Sequence, residues 1–512
     1  MARYQKDIVG TRETQSVPPK GVCVIKPMNG KTSQMTFWES DQFIVPRKQG
    51  NACGGKGLAG VHCGDRETLP IPRDGQEVST KLASITLRAR EDPECKFTSL
   101  AHLISEDFLK ECFGELKRNK APGIDGVTAR EYEEKLDDNI EDLVRRLKTK
   151  IYRPKPVKRT YIPKSDGKRR PLGIPAIEDK IVQMAIKKIL EAIFEQDFID
   201  ISYGFRPNRS CHDALDKIDK ILMTKPVNYV VDMDIAKFFD TVDHETLMRC
   251  LKQRISDPSL LQLIGRFLRS GMMEDGKYFE TDKGTPQGGI LSPVLANVYL
   301  HYALDLWFEK VVKTQLKGFA HLVRYADDFV VCFQYCDEAR AFEAELRERL
   351  GLFGLEISEE KSRIIEFGRS SCQNAKRQGR KCATFDFLGF THYCGRTRSG
   401  GFKVGRKTSG KKFRQKLKEL DQWLKHVRNT TELEDWWQVL RQKLVGHYHY
   451  YGMSGNMQWL QSYYYRAVRL AFKWINRRGQ KRSYNWDQFR RFLSYNPLPQ
   501  PKIYHLTYTL YK

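Results

Sequence analysis

The chain has 512 residues, and its 88 Lys and Arg against 63 Asp and Glu give it a net charge of +25 at pH 7. This length allows roughly two to four domains, and the absence of any apolar run of about 18 residues excludes the class of membrane-spanning proteins from our expectations. The large positive charge is unlike that of a typical soluble enzyme and predicts a polyanionic partner.

Most of the excess charge lies at the C-terminal end. Residues 396–512 contain 25 Lys and Arg and 6 Asp and Glu, so this segment carries +19 of the total of +25. Trp and Tyr side chains are interleaved with these charges, which favours nucleic-acid binding over a merely solubilising surface. The segment therefore predicts a region that holds a polyanion.

Twelve cysteines are present, without a CxxC pair. Two clusters have the residue types of a zinc site, and they are Cys53, His62 and Cys63, and Cys382, His392 and Cys394. Neither has the paired spacing of zinc modules, so we expect free thiols in a reducing compartment. The N-terminus lacks the apolar core of a signal peptide.

Residues 1–80 are polar and rich in Gly, Pro, Ser and Thr, which predicts an N-terminal extension with little fixed structure. Helical periodicity begins at Val78 and is clear over residues 97–113, where Ser105 is a predicted helix cap. A loop over residues 120–126 and a further helix follow.

Residues 161–174 predict a β-hairpin with its turn at Asp166-Gly167. Five basic residues surround the turn, and they are Arg159, Lys164, Lys168, Arg169 and Arg170. Cationic side chains on a hairpin can neutralise the phosphates of a ligand. An exposed hairpin on a basic protein is the alternative interpretation.

The next region combines a core helix with a basic segment. Residues 179–198 have the apolar spacing of an amphipathic helix that packs in the core. The segment Ser202-Tyr-Gly-Phe-Arg-Pro-Asn-Arg-Ser210 follows, and its Arg206 and Arg209 are candidate phosphate contacts. In the helix after it, His212 and Asp213 are predicted to be capping groups.

Carboxylates end two apolar, β-rich runs. Asp234 closes the strand that begins near Asn228, and Asp327 and Asp328 lie at the turn between two strands within residues 321–333. Adjacent carboxylates beside apolar strands are costly unless a cation compensates them, and Mg²⁺ prefers oxygen ligands. If the strands pair, the three carboxylates converge, which is the minimum for a two-metal site. A surface hairpin with an acidic turn is the alternative.

Two motifs resemble one family. Tyr325-Ala-Asp-Asp328 resembles the catalytic box of reverse transcriptases, and residues 284–297, which begin Gly284-Thr-Pro-Gln-Gly-Gly, resemble the template and nucleotide-pocket motif of the group II intron branch. The resemblance to group II intron-encoded reverse transcriptase/maturases runs in order from about Val78 to His505.

The resemblance implies an α+β, right-hand polymerase fold. Fingers and palm, built of an antiparallel sheet plus helices, precede an α-helical thumb that is also the maturase X domain. The expected divisions are residues 1–80 for the extension, 81–227 for N-terminal helices and fingers, 228–395 for the palm, 396–476 for the thumb, and 477–512 for a short basic DNA-binding segment.

The family's function implies an RNA-directed DNA polymerase that binds its intron RNA as a splicing maturase and supports intron mobility. Its partners would be intron RNA as template and splicing substrate, a DNA primer or target, and dNTPs, with two Mg²⁺ ions and no membrane. We expect a cytoplasmic, nucleoid-associated bacterial protein. Two alternatives stay open: a non-enzymatic RNA-binding maturase, and a relative used in host defence or repair.

The family's site residues carry over by motif. Asp234, Asp327, Asp328 and the backbone carbonyl of Ile235 would hold the metal ions, with the three carboxylates as the catalytic groups. The expected nucleotide contacts are Lys164, Arg170, Phe239, Gln287 and Lys361. The expected nucleic-acid contacts are Arg206, Arg209, Lys411, Lys412, Arg414, Arg477, Arg478, Lys481 and Arg482.

Two of these residues have specific implied roles. The ring of Phe239 would exclude a ribose 2′-OH and so select deoxynucleotides. Lys361, in a Glu360-Lys-Ser-Arg363 box where the family usually has Thr in place of Ser362, would help protonate the leaving pyrophosphate.

The C-terminal third is expected to be helical. Residues 411–428 predict a basic helix, residues 444–456 resemble the X domain, and Leu460, Tyr464, Val468, Ala471 and Ile475 predict the apolar stripe of a long helix. Many relatives continue into an endonuclease with two CxxC pairs, which this sequence lacks. The expectation is therefore an endonuclease-lacking form whose primer comes from elsewhere.

Overall fold

The computed structural model describes residues 75–163, 169–286, 288–397, 399–479 and 483–506. The expectation of a poorly ordered extension concerns residues that lie almost entirely outside these ranges. The first described element is a helix that starts at Gly75, close to the predicted onset of helical periodicity at Val78.

Helices account for about half of the described residues. In chain order they are α1 (Gly75–Glu91), α2 (Glu106–Gly114), α3 (Ala129–Glu133), α4 (Leu136–Lys148), α5 (Ile177–Phe194), α6 (Cys211–Thr224), α7 (Phe238–Thr241), α8 (His244–Leu251), α9 (Pro258–Leu268), α10 (Ser292–Leu300), α11 (Lys313–Gln315), α12 (Cys336–Leu352), α13 (Arg369–Arg377), α14 (Gly410–Val427), α15 (Leu433–Tyr451), α16 (Met457–Ile475) and α17 (Trp486–Tyr495). None of them combines the length and apolar character that crossing a bilayer requires.

The strands form three sheets. In chain order they are β1 (Val157–Pro163), β2 (Arg169–Ile174), β3 (Tyr229–Asp234), β4 (Met272–Glu274), β5 (Lys277–Phe279), β6 (Ala320–Tyr325), β7 (Asp328–Phe333), β8 (Arg363–Glu366), β9 (Thr384–Phe387), β10 (Phe390–Arg396) and β11 (Phe402–Thr408). The strand orders are β2-β1-β4-β5, β6-β7-β3-β8 and β11-β10-β9. The mixed α+β class is thus confirmed, with a parallel β1–β4 pair as an addition to the antiparallel pairing we expected.

Local sequence explains several helix starts. Ser105 accepts a hydrogen bond from the backbone of Phe108 at α2, which confirms the predicted cap. Ser210 and Asp213 form a capping box at α6, so the predicted capping role of Asp213 is also confirmed. The ring of His212 instead bonds the carbonyl of Tyr450, at 2.8 Å, and so ties α6 to α15.

The helical segment that begins at Ser292 is not a regular α-helix throughout. After α10 the chain makes π-helical turns at His301–Asp305 and Phe308–Val312. Apolar periodicity could not reveal this change, because the segment is buried on nearly every side and has no polar face to fix its phase. Such π-turns are frequent near functional sites.

The apolar stripe of α16 differs from the predicted one. Tyr463, Ala467 and Trp474 are buried, whereas Tyr464 and Val468 are only partly so. Tyr463 takes the inward position because its ring stacks on His447 of α15 at 3.7 Å. Leu460, Ala471 and Ile475 are buried as predicted, so the stripe differs only in its middle, where Tyr463 and Ala467 take the inward positions.

Residues after α17 return to the helices before it. The backbone of His505 pairs with Met453, and the N–H groups of Tyr504 and His505 donate to the carbonyl of Gly452 at 2.7 and 2.9 Å. The His505 ring stacks on His212 of α6 at 3.6 Å. The C-terminal described residues thus connect α15 to α6.

The expectation of free thiols throughout is wrong for one pair. Cys372 and Cys382 form a disulfide with a Cα–Cα distance of 5.0 Å, because the turn after α13 brings them together. This also removes Cys382 from the candidate zinc cluster. His392 of that cluster is buried and stacks on Phe385 at 4.6 Å.

Candidate active site and nucleic-acid interface

Strand pairing brings the three predicted carboxylates together. Asp234 at the end of β3 lies opposite Asp328 at the start of β7, and directly opposite residues of an antiparallel pair have Cβ atoms about 5 Å apart. Asp327 occupies the turn between β6 and β7. The apolar side chains of β6 and β7 are buried on both faces, so the sheet fixes the carboxylates at its edge.

Burial and mutual repulsion disfavour the ionised forms of Asp327 and Asp328. Burial raises the pKa of Asp328 to about 7, and the neighbouring Asp232, Asp327 and Asp234 contribute in the same direction. Burial also raises the pKa of Asp327, which the charges of Arg170 and Lys361 partly oppose. Raised carboxylate pKa values are typical of functional sites in which groups of like charge lie close together.

A fourth carboxylate, Asp232, was missed in the sequence. It lies two residues before Asp234 on β3, and burial raises its pKa to about 6. Arg363 of β8 is its cationic partner, at 3.4 Å. The signal was present, because residues i and i+2 of a strand point to the same face.

The donor set fits Mg²⁺ in its chemistry. Carboxylate oxygens are hard ligands, and a divalent cation would relieve their mutual repulsion. Ile235 and Ile357 form an isolated antiparallel β-bridge. Its two hydrogen bonds use the N–H of Ala236 and the carbonyl of Asp234, so neither bond uses the Ile235 carbonyl. No three His, Cys, Asp or Glu side chains of the described residues are spaced as a ready-made metal site.

Lys361 contacts one of the carboxylates that we expected to bind metal. Its ammonium forms an ion pair with the Asp234 carboxylate, although the lysine side chain is 66% exposed. The turn that carries Lys361 is held to β3 because Ser358 N–H donates to the Asp234 carbonyl at 2.8 Å and Lys361 N–H donates to the Ser358 carbonyl at 3.2 Å. An ammonium therefore lies at one of the three carboxylates that we expected to bind metal.

The predicted hairpin is present as β1 and β2, with Arg170 opposite Ile162. Arg170 is exposed, and its charge lowers the pKa of Asp327, so this end of the hairpin lies near that carboxylate. Lys164 and the predicted turn lie outside the described residues.

A cleft of about 220 Å³ lies between this hairpin and two other segments, Phe239-Asp240 and residues 281–286. Phe239 lines it, whereas Phe238 is buried against Tyr299, which favours Phe239 as the exposed ring of the pair. Gln287 lies outside the described residues. Its neighbour Gly288 has φ +106°, and a Cβ there would come within 2.7 Å of the Gly173 carbonyl, so only glycine allows this close approach.

Arg206 does not meet the expectation of a phosphate contact. Its side chain is 2% exposed and pairs with Glu195, and the guanidinium also donates to the carbonyls of Ile199 and Ser202 at 2.8 and 2.9 Å. These bonds give Arg206 a structural role. Arg209 is partly exposed and pairs with Asp200 at 2.5 Å, so it retains access to solvent.

The basic residues of the C-terminal helices are largely on the surface. Lys411, Lys412 and Arg414 are exposed on the first turns of α14. Arg477 is exposed beside the ring of Trp474, and Arg478 lies 3.8 Å from Glu432. Lys481 and Arg482 lie outside the described residues.

A second cleft, of about 660 Å³, runs from the carboxylates to these helices. Asp328 and Gly389 line one side of it, and Lys412, Lys416 and Lys443 line the other. The sequence reasoning missed Lys416 and Lys443, which become neighbours only when α14 and α15 pack. The cleft is wide and cationic enough to receive a phosphate backbone.

Comparisons with known proteins point to one family. Residues 162–392 match the family described as reverse transcriptase (RNA-dependent DNA polymerase). Group II intron-encoded protein LtrA of Lactococcus lactis subsp. cremoris is 40% identical over 222 residues, which are 43% of this chain and 37% of LtrA. Protein YkfC of Escherichia coli is 34% identical over 323 residues, which are 56% of this chain and 84% of YkfC.

A more distant relative is the putative COX1/OXI3 intron 1 protein of Saccharomyces cerevisiae, 34% identical over 180 residues, which are 35% of this chain and 21% of that protein. The matched region thus covers little more than a third of LtrA and about a fifth of the yeast protein.

Proposed function

The chain belongs to the group II intron-encoded reverse transcriptase/maturase family, and on this basis we propose that it is an RNA-directed DNA polymerase that also acts as a splicing maturase and supports intron mobility. In this proposal residues 81–227 form the N-terminal helices and fingers, 228–395 the palm, 396–476 the thumb, and 477–512 a DNA-binding segment. One observation carries the polymerase: the convergence of Asp234, Asp327 and Asp328 under a basic hairpin.

The three carboxylates would hold two Mg²⁺ ions, with the Ile235 carbonyl as a further ligand. When bound, the two ions supply charge stabilisation for the attacking and leaving oxygens of phosphoryl transfer. Arg170 orients the triphosphate from above, and Phe239 supports the sugar from the side. Lys361 moves from Asp234 to the leaving pyrophosphate, where its ammonium donates a proton.

The direct test is extension of a DNA primer on an RNA template with dNTPs, with and without Mg²⁺. We expect Mg²⁺-dependent cDNA. Well-folded protein that binds RNA and yields no cDNA would refute the polymerase and favour the non-enzymatic maturase.

Phe239 gives a specificity prediction. In Phe239→Val, the smaller side chain leaves room for a ribose 2′-OH, so the preference for dNTPs over rNTPs should fall by about 100-fold. The measurement is kcat/KM for dCTP and CTP on the same primer and template.

The matched control for this change is Phe238→Leu, in the buried neighbour. It should lower the melting temperature through lost packing and leave the dCTP/CTP ratio unchanged. An equal change of the ratio in both variants would show that the ring of Phe239 is not the selective element.

The maturase part of the proposal rests on the basic C-terminal helices. Three exposed side chains of these helices are positively charged: Lys411, Lys412 and Arg414. Such side chains bind an RNA duplex through its phosphates and do not read its bases. The intron RNA supplies the splicing chemistry, while the protein neutralises charge and stabilises the folded RNA. DNA targets would use the same electrostatic attraction.

RNA affinity should therefore depend strongly on salt. Changing Lys411, Lys412 and Arg414 to Gln should weaken RNA binding and reduce the slope of log K against log[salt] by roughly 2 to 3, because fewer counterions are released. Equilibrium binding of intron RNA at several KCl concentrations measures this slope.

A charge-matched control is the triple change of Lys148, Lys220 and Lys252 to Gln, at exposed positions on α4 and α6 and directly after α8. Its slope should stay close to that of the unaltered protein. Equal losses in both triple variants would indicate a diffuse charge effect and would contradict a dedicated RNA surface on α14.

A further inference from the structure

Arg324 is a fully buried arginine directly below the carboxylate turn. Its Nε donates to one carboxylate oxygen of Asp305 at 2.8 Å, and its Nη2 donates to the other. Its Nη1 donates to Asn297 Oδ1 at 3.1 Å and to the carbonyl of Ala326 at 3.0 Å. Arg324 and Asp305 are both inaccessible to solvent, so the guanidinium cannot reach any ligand itself.

The carbonyl that Arg324 binds belongs to the residue before Asp327. Ala326 has φ +58°, a left-handed conformation that is unfavourable for a residue with a Cβ. A turn of this kind persists when its surroundings hold it. The bond from Arg324 to Ala326 is such a constraint, because it fixes the peptide that presents Asp327.

Two motifs that we expected to contact ligand instead form hydrogen bonds with Arg324. Asn297, the last residue of the motif over residues 284–297, donates to the Gly204 carbonyl at 2.8 Å while accepting from Arg324. Gly204 belongs to the segment that begins at Ser202, and a Cβ on it would lie 2.3 Å from the Ala326 nitrogen. The backbone around Gly204 therefore presses directly on the turn.

Backbone bonds complete the unit. Tyr203 N–H donates to the Arg324 carbonyl at 2.9 Å, and Arg324 N–H donates to the Ile201 carbonyl at 2.8 Å. Asp305 ends the π-helical turn at His301–Asp305, which brings its carboxylate under β6. The side chain of Arg324 thus bonds Asn297 and Asp305, and its backbone bonds the segment around Gly204.

We propose that Arg324, with Asp305, Asn297 and Gly204, is a positioning unit that holds the Ala326 turn and thereby sets Asp327 and Asp328 for the divalent cation. The inference rests on the proposed polymerase function and extends it to residues that touch neither metal nor substrate. If Arg324 only stabilised the fold, its ion pair with Asp305 would be sufficient. The bonds to Ala326 and Asn297 serve the geometry of the turn.

The test uses the full chain with the double change Arg324→Met/Asp305→Leu. Removing both charges together leaves no unpaired buried ion, so the fold should survive, whereas the bond to the Ala326 carbonyl is lost. We expect kcat to fall by about 100-fold, as for a misplacement of roughly 1 Å. We also expect KM for dNTP to change little and the Mg²⁺ concentration for half-maximal rate to rise at least about tenfold.

A second readout does not depend on activity. Mn²⁺ binding to the metal-free protein, followed by electron paramagnetic resonance, should weaken in parallel with the Mg²⁺ requirement. A second variant, Arg324→Lys, keeps the charge beside Asp305 but cannot reach Asp305, Asn297 and Ala326 at once. It should show the same rise in Mg²⁺ requirement, and it serves if the double variant does not fold.

Arg349→Met is the matched control. Arg349 is also a buried arginine, and it donates to the carbonyls of Ala303 and Tyr302 in the same π-helical turn without touching the carboxylate turn. It should lower the melting temperature and leave the Mg²⁺ requirement and Mn²⁺ affinity unchanged. Unchanged kcat and metal affinity in both Arg324 variants, or equal shifts in Arg349→Met, would overturn the proposal. Lack of Mg²⁺-dependent extension by the unaltered protein would instead refute the polymerase.

Discussion

Changing Asp327 and Asp328 together to Asn should reduce Mg²⁺-dependent primer extension by on the order of 10⁴-fold, since each carboxylate is expected to supply about 100-fold of charge stabilisation through the metal. RNA binding should remain, because the basic helices are untouched. Single-turnover extension and a filter-binding assay on the same protein measure the two properties separately.

The same change should stabilise the metal-free fold. The pKa of Asp328 is about 7 in the folded protein, against roughly 4 in an unfolded chain. The ionised carboxylate therefore disfavours folding at pH 8, and this cost falls as pH drops through 7 and the folded state takes up a proton. In EDTA, the double Asn variant should melt higher than the unaltered protein at pH 8, with a smaller difference at pH 5.

Asp337→Asn, at an exposed position in the first turn of α12, is the control for a simple loss of charge. It should change neither extension nor the pH dependence of melting. Full polymerase activity in the double variant would exclude this carboxylate pair as the metal site.

Lys361→Met should have two opposite effects. Without the ammonium that pairs with Asp234, Mg²⁺ has no competitor at this carboxylate, so half-saturation should occur at a lower Mg²⁺ concentration. The rate at saturating Mg²⁺ should nevertheless fall by about 10² to 10⁴-fold, since the proton donor to pyrophosphate is lost. Rates over a Mg²⁺ series separate the two effects.

Lys361→Arg separates charge from proton donation. Arginine keeps a cation at Asp234 but does not release its proton, so the rate should fall while the Mg²⁺ requirement stays near its original value. Arg363→Met controls for the loss of any nearby cation. It removes the cationic partner of Asp232, which lies two residues before Asp234 on β3. Tighter Mg²⁺ binding in Arg363→Met but not in Lys361→Met would contradict the competition.

Local pattern was sufficient for the strands. The β-branched and apolar content around Asp234 and Asp328 predicted them, whereas the convergence of the carboxylates depended on the assumption that these strands pair. The caps at Ser105 and Asp213 were equally local. The class of fold was implied by the resemblance of the motifs to a known family.

Tertiary context decided what the sequence reasoning missed. Arg206 and Arg324 look alike in the sequence as basic residues beside motifs, yet both are buried against carboxylates of other elements, Glu195 and Asp305. Lys443 joins the cationic cleft only through helix packing. The disulfide between Cys372 and Cys382 depends on a turn that periodicity does not describe.

The order β6-β7-β3-β8 also has a consequence for synthesis on the ribosome. β3 ends at Asp234, whereas its two neighbours begin at Asp328 and Arg363. At about 5–20 residues per second, the nascent chain waits roughly 5 to 30 s before both edges of β3 are covered. During this interval Val230, Val231 and Met233, which are buried in the finished sheet, remain available to chaperones. Translation pauses between β3 and β8 would lengthen that exposure.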